Sequence, residues 1–257
     1  MKGFAACFGL QTSRSLWNGL ALRAYRRKLR REPAFRTWYE IEAPRWTAHW
    51  GNGSVMDECD RVHLASQLYE LTETLRRRIG PPGAARVLDA GASDGLFLTR
   101  IGVQRGVGVN FLVACARKIC SDGYRACLAD IERLPFADKS FDYVLCCETL
   151  EHVRNPIHTL DELGRVCRKR IFLTVPWLPA TRINARPAGW PQVESHVFEF
   201  SVADFMKVLT HAHLRLLHRE SVQVFPEPRN PLVQWWLGVW MYPSYFPRLQ
   251  YYELEPL

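Results

Sequence analysis

Between Arg86 and Val175 short apolar runs alternate with stretches of helical period. Arg86–Ala90, Gly106–Val109, Arg125–Ala129, Phe141–Cys147 and Ile171–Val175 read as strands, and the fourth is apolar on both faces. Gly95 to Val103, Phe111 to Ser121 and Pro156 to Cys167 read as helices, the last with Ile157, Leu160, Leu163 and Val166 at three-residue steps. Strands that alternate with helices predict an α/β fold, a doubly wound and mainly parallel sheet covered on both faces.

The flanks read differently. Ser13 to Arg31 has helical period, Pro33 and Pro44 punctuate the next stretch, and a loop is expected at Trp50–Gly53. Asp57 to Ile79 is a long helix stopped by Gly80-Pro81-Pro82-Gly83. After the core, Trp177 to Val193 is too long for a simple connection and reads, with the residues up to 200, as a lid or substrate segment. Ser201 to Thr210 is a helix with Ser201 as its N-cap and Asp204 in the capping-box place. Leu214–Leu217 and Val222–Phe225 are the expected last two strands, and the run from Pro231 is rich in Trp and Tyr. Three sections result: a basic, aromatic helical extension (1–82), a core domain (83–225) and an aromatic tail (226–257).

The net charge of +8 is concentrated in Arg23, Arg26, Arg27, Lys28, Arg30 and Arg31. No apolar run reaches the roughly 20 residues of a spanning helix, and no signal peptide is read at the N-terminus. The eight cysteines lack paired metal-ligand spacing and fall mostly in regular elements, so reduced, buried thiols in the cytoplasm are expected, and no metal site. The basic helix and the run Trp235–Tyr242 suit the inner face of a membrane; packing of that run as a closing element remains open. Nucleic acid is not the expected partner, because no RNA-binding motif is present.

Three constellations carry the chemistry. Val87 to Gly95 is a strand running through a glycine turn into a helix, where Gly91 admits close backbone approach. It is neither a dinucleotide fingerprint nor a P-loop. Asn110 ends the second strand 21 residues after Asp89, where an acceptor can meet ribose hydroxyls; an ordinary turn residue is the alternative. The third is Ala129-Asp-Ile-Glu-Arg-Leu-Pro-Phe136, followed by Asp138-Lys-Ser-Phe-Asp142 and a strand that ends at Glu148, with His152 one turn later.

Taken in this order, the motifs of Arg86 to Pro176 resemble the type 11 group of class I S-adenosylmethionine-dependent methyltransferases. The resemblance implies a Rossmann-like seven-stranded sheet with an antiparallel last strand and S-adenosylmethionine as cofactor. The implied binding positions are Asp89, Ala90, Gly91, Ala92, Ser93, Gly95, Asn110, Asp130, Ile131 and Glu148. In that group the counterpart of Asp130 pairs with the adenine amino group, the counterpart of Ile131 lines the adenine pocket, and the glycine loop's backbone N–H groups meet the cofactor's carboxylate. Methyl transfer needs mainly alignment of donor and acceptor; for a hydroxyl acceptor His152 and His196 are the candidate bases. The expected acceptor is an oxygen, less often a carbon, of a small molecule, sugar or lipid. A methyltransferase-like binding or regulatory protein and an RNA methyltransferase are the alternatives.

Overall fold

The computed structural model describes residues 19, 22–50, 58–176, 181–183, 196–223 and 248–257. The run Trp235–Tyr242 and most of the expected lid lie outside the described residues. The chain divides into two compact units, residues 1–71 with 223–246 and residues 72–222 with 247–257.

In the first unit residues 22–31 are helical. Helix α1 (Pro33–Trp50) starts on a proline, whose missing N–H costs nothing there. It then runs through Pro44, where punctuation was expected, and ends at Trp50; residues 51–53 of the expected loop lie outside the described residues. An internal proline removes one helical bond and strains a turn, but that does not oblige the helix to stop. Lys28 is only 8% exposed. Its ammonium donates to Ser66 Oγ at 2.9 Å, pairs with Glu70, and lies 4.5 Å from the Phe35 ring centroid. One member of the basic cluster is therefore internal, whereas Arg23, Arg26, Arg27, Arg30 and Arg31 are exposed. Helix α2 (Glu58–Ile79) begins in this unit and ends in the second. No described helix is long and apolar enough to cross a membrane.

The second unit holds β1 (Arg86–Ala90), α3 (Leu96–Ile101), β2 (Arg105–Asn110), α4 (Val113–Ser121), β3 (Arg125–Leu128), β4 (Phe141–Cys147), a 3-10 turn (Leu150–His152), α5 (Pro156–Val166) and β5 (Cys167–Pro176). The short strands β6 (Arg182–Ile183) and β7 (Phe198–Glu199), helix α6 (Val202–His211), β8 (Leu214–Gln223) and β9 (Arg248–Pro256) complete it. Seven strands form one sheet in the order β3-β2-β1-β4-β5-β9-β8. The pairs β3–β2, β2–β1, β1–β4 and β4–β5 are parallel, while β9 runs antiparallel to β5 with Leu173 opposite Tyr252. The mixed seven-stranded sheet is as expected; its seventh strand is not. Residues 248–256, read from the sequence as tail, are the strand inserted between β5 and β8, and residues 222–223 merely extend β8.

Period-two alternation puts Leu88, Ala90, Val144 and Leu173 on the face covered by Leu160 and Leu163 of α5 and Phe205 and Leu209 of α6. Each such leucine or phenylalanine contributes about 1.5–3 kcal/mol by leaving water. On β8, Glu220 accepts from Arg77 and Arg78 at the end of α2, at 2.9 and 3.0 Å.

Asp142, buried at the start of β4, accepts from the Arg86 backbone N–H at 2.9 Å and pairs with Arg168 and Lys169. Burial pushes its carboxyl up, but these three partners outweigh that and hold it at about 2. Because the folded value lies below the ordinary one, the stabilisation is present above pH ~4 and is lost as pH falls towards ~2. Allowing for the half-exposed Arg168 and Lys169, we expect Asp142→Asn to cost about 1–2 kcal/mol at pH 7. Urea unfolding at several pH values should show that difference closing between pH ~4 and ~2; a gap that stays constant would contradict it.

Candidate active site

Strand order reverses at β1, which has β2 on one side and β4 on the other, and the carboxyl ends of β1 to β5 share one edge of the sheet. Ligands of open α/β sheets bind outside that edge at such a switch point.

The loop after β1 is built around Gly91, at φ +89. A Cβ there would stand 2.3 Å from Oγ1 of Thr149, which comes after β4. Gly95, at φ +83, starts α3 against Ile119 of α4, 3.1 Å from where its Cβ would be. The Gly91 and Ala92 N–H groups donate to the Val109 carbonyl at 3.1 and 2.9 Å, and Gly95 N–H donates to Ala92 O at 2.7 Å. This narrows the expected anion-binding backbone to Ser93 and Asp94, since the other three donors are engaged.

Asp89 and Ala90 are buried at the end of β1. Asp89 is 1% exposed, and its Oδ2 has no hydrogen-bond partner. Burial first, and then the charge of Asp94, push its carboxyl up to about 7. A buried carboxyl in this condition gains from a cationic or donor group brought to it.

Asn110 takes the turn role that was its alternative reading and adds a bond to the glycine loop. Its Oδ1 accepts from Leu112 N–H at 2.8 Å, and its Nδ2 donates to the Ser93 carbonyl at 3.4 Å. The side chain thus ties the end of β2 to the glycine loop, a donation that an aspartate could not make. Immediately after it, Phe111 is 81% exposed and Leu112 and Val113 are half exposed. Sequence reasoning passed over these three as the start of a helix; the available signal was an apolar triplet directly after a strand-end polar residue.

Beyond β3, Asp130 is exposed, and its Oδ1 accepts from Glu132 N–H at 2.9 Å. Ile131 is buried in the main apolar cluster. The loop after it is fastened by Arg165 of α5. Its Nη1 donates to Phe136 O at 2.7 Å and to Asp138 Oδ1 at 2.8 Å, and its Nη2 to Leu134 O at 2.9 Å. Glu162 holds the same guanidinium at 2.7 and 2.9 Å and also accepts from Leu134 N–H.

Beyond β4, Glu148 takes a positive φ of 50°, and its N–H reaches Thr174 on β5. His152 and His196, 44 residues apart in sequence, stand with ring centroids 4.9 Å apart. What brings them together is the β6–β7 ribbon, anchored by Val197 N–H donating to Glu151 O at 2.7 Å. Glu151, which sequence reasoning did not single out, is 1% exposed between them. Burial and the neighbouring Glu148 charge push its carboxyl well above the usual range. The cysteines of β4, Cys146 and Cys147, are buried, and burial pushes both thiols up, which leaves them unreactive.

Residues 88–174 match the family model described as a methyltransferase domain. Over about a third of its length the chain is therefore similar to a methyltransferase domain, in line with the resemblance to the type 11 group carried by its motifs. The matched stretch runs from within β1 to within β5 and holds the carboxyl ends of β1, β2, β3 and β4. An uncharacterized protein of Methanocaldococcus jannaschii is 34% identical over 98 residues, 38% of this chain and 45% of that one, so the chain spans just under half the length of this curated relative. The chain also has solved neighbours in fold. The Burkholderia thailandensis 1,6-didemethyltoxoflavin-N1-methyltransferase, with bound 1,6-didemethyltoxoflavin and S-adenosylhomocysteine, has a TM-score of 0.58 at 17% identity over 86% of this chain and 90% of that chain. The 4+2 cyclase SpnF has a TM-score of 0.57 at 16% identity over 85% and 94%. At these identities the likeness is one of fold.

Proposed function

We propose that this chain transfers a methyl group from S-adenosylmethionine to an oxygen of a small-molecule, sugar or lipid-linked acceptor. The observation that carries the reading is that the stretch matching the methyltransferase domain, residues 88–174, is the one whose strand ends meet at the switch point of the sheet. When bound, S-adenosylmethionine supplies a methyl group on a positively charged sulfur.

The residues present fit that group. The unpartnered Oδ2 of buried Asp89 is an acceptor for the ligand's ammonium. Ser93 and Asp94, in the loop just before α3, offer backbone N–H groups to its carboxylate. Phe111 offers an exposed ring for a flat base, and Asp130 offers a carboxylate to the base's amino group. Asn110 contributes chiefly by holding the glycine loop, and its Oδ1 keeps a second lone pair for a ribose hydroxyl. On the acceptor side, His152, His196 and Glu151 form the polar wall.

Calorimetric titration tests the cofactor half of this reading. S-adenosylmethionine and S-adenosylhomocysteine are expected to bind the wild type, and Asp130→Ala should weaken both tenfold or more, about 1.4 kcal/mol. Methyl transfer to a panel of hydroxylated acceptors tests the other half. A folded wild type that binds neither ligand would overturn the proposal; binding without transfer to any acceptor would favour another use of the fold.

A further inference from the structure

The carboxylate of Glu151 poses a problem that hydrogen bonding within the protein does not solve. Glu151 is 1% exposed, yet neither of its carboxylate oxygens has a hydrogen-bond partner. A buried carboxylate left so is costly. Two imidazole nitrogens converge on the same oxygen: His152 Nε2 lies 3.9 Å and His196 Nε2 4.0 Å from Glu151 Oε1. These separations are too long for hydrogen bonds. They are close to those of donors that share an ion, and one donor atom from each residue lies within 4.8 Å of the others. A tetrahedral ion with bonds of about 2.0–2.1 Å sets its donors about 3.3–3.4 Å apart, so a small inward rotation of each side chain closes the site.

His196 supplies an independent observation. Its Nδ1 lies 3.1 Å from Glu199 Oε1. A carboxylate there keeps the ring proton on Nδ1 and turns the Nε2 lone pair towards Glu151. Carboxylate behind imidazole is the arrangement that orients metal-ligating histidines.

We propose that Glu151, His152 and His196 bind a divalent transition-metal cation, with Glu199 as the residue that positions His196. Two imidazoles and one carboxylate suit zinc or ferrous iron and leave coordination positions open. No metal site was expected from the sequence because that expectation rested on cysteine spacing, and this donor set contains no cysteine. Binding of the cation does not depend on the methyl-transfer reading, but its role does: in that reading an open position takes the acceptor's oxygen and favours its deprotonated form.

The test uses the full chain, stripped with a chelator and titrated calorimetrically with Zn2+ and with Mn2+. A single saturable site is expected, tighter for Zn2+. Glu151→Gln and His196→Ala should each weaken Zn2+ at least tenfold, and Glu199→Gln should weaken it about 10–100-fold without changing the stoichiometry. Circular dichroism checks folding. His196→Ala alters a half-exposed side chain and remains informative should Glu151→Gln fail to fold. A folded wild type that binds no Zn2+, or variants that bind it as the wild type does, would overturn the proposal. S-adenosylmethionine titrated into the stripped protein reports separately on the cofactor site.

Discussion

Replacing Gly91 by alanine is expected to destabilise the second unit by about 2–5 kcal/mol and to abolish measurable binding of S-adenosylmethionine. Two costs add. At φ +89 an L-residue is strained by about 1–2 kcal/mol. The new methyl would also stand 2.3 Å from Thr149 Oγ1 and 2.4 Å from its Cγ2, so either the loop or the start of the 3-10 turn must move. Overpacking of this kind costs about 1–3 kcal/mol. Movement of the loop would break the bonds from Gly91 and Ala92 to Val109 and the brace from Asn110 to Ser93, which together set the shape of the proposed site. Urea unfolding and calorimetric titration read the two effects. In a Thr149→Gly background the clash is relieved but the backbone strain is not, so about half of the lost stability should return. If Gly91→Ala were as stable as wild type, the close approach of the two loops would be wrong.

The second large effect is expected at Arg165. Its guanidinium binds two backbone carbonyls and two carboxylates, and so fixes residues 134–138 against α5. Hydrogen bonds to charged groups are worth about 1.5–3 kcal/mol singly and are not additive. Arg165→Ala should therefore cost about 2–4 kcal/mol, and Arg165→Lys should recover less than half of it, because an ammonium cannot reproduce the planar fork. Chemical unfolding gives the energies. Hydrogen exchange should show the amides of Leu134 and Lys139 losing protection first, since they donate to Glu162 Oε2 and Arg165 O. Full rescue by lysine would mean that charge alone matters there.

Much of the second unit was legible because its signals are local. The run Arg86–Ala90 followed by Gly91 and Gly95 announces strand, turn and helix through the conformational preferences of those residues. Ser201 caps α6 as expected, its Oγ accepting from Asp204 N–H at 3.1 Å. Strand β9 was missed although Arg248–Pro256 is an adequate strand sequence, since its partner Ile171–Pro176 lies more than 70 residues earlier and pairing at that range leaves no local mark. Pro44 misled for the opposite reason: a strong local signal was overridden by the helix on either side of it.

The candidate site divides in the same way. Asp89, Gly91 and Gly95 could be named from the strand–turn–helix pattern that holds them, whereas Asp130 was implied only by the resemblance of its motif to the family. His152 and His196 could be named only singly. That they face each other, with Glu151 buried between, depends on the β6–β7 ribbon and on the Val197–Glu151 bond. From the sequence alone came the class of fold, the glycine loop at the end of β1 and the resemblance of the core to a methyltransferase family. The tertiary structure decided that Asn110 is a brace, that Lys28 is internal, that the last strand is β9 and that Glu151 has two imidazoles for company. The reason is physical: torsional preference and apolar periodicity act within a few residues, whereas burial and side-chain partnership arise only when segments distant in sequence are closed against one another.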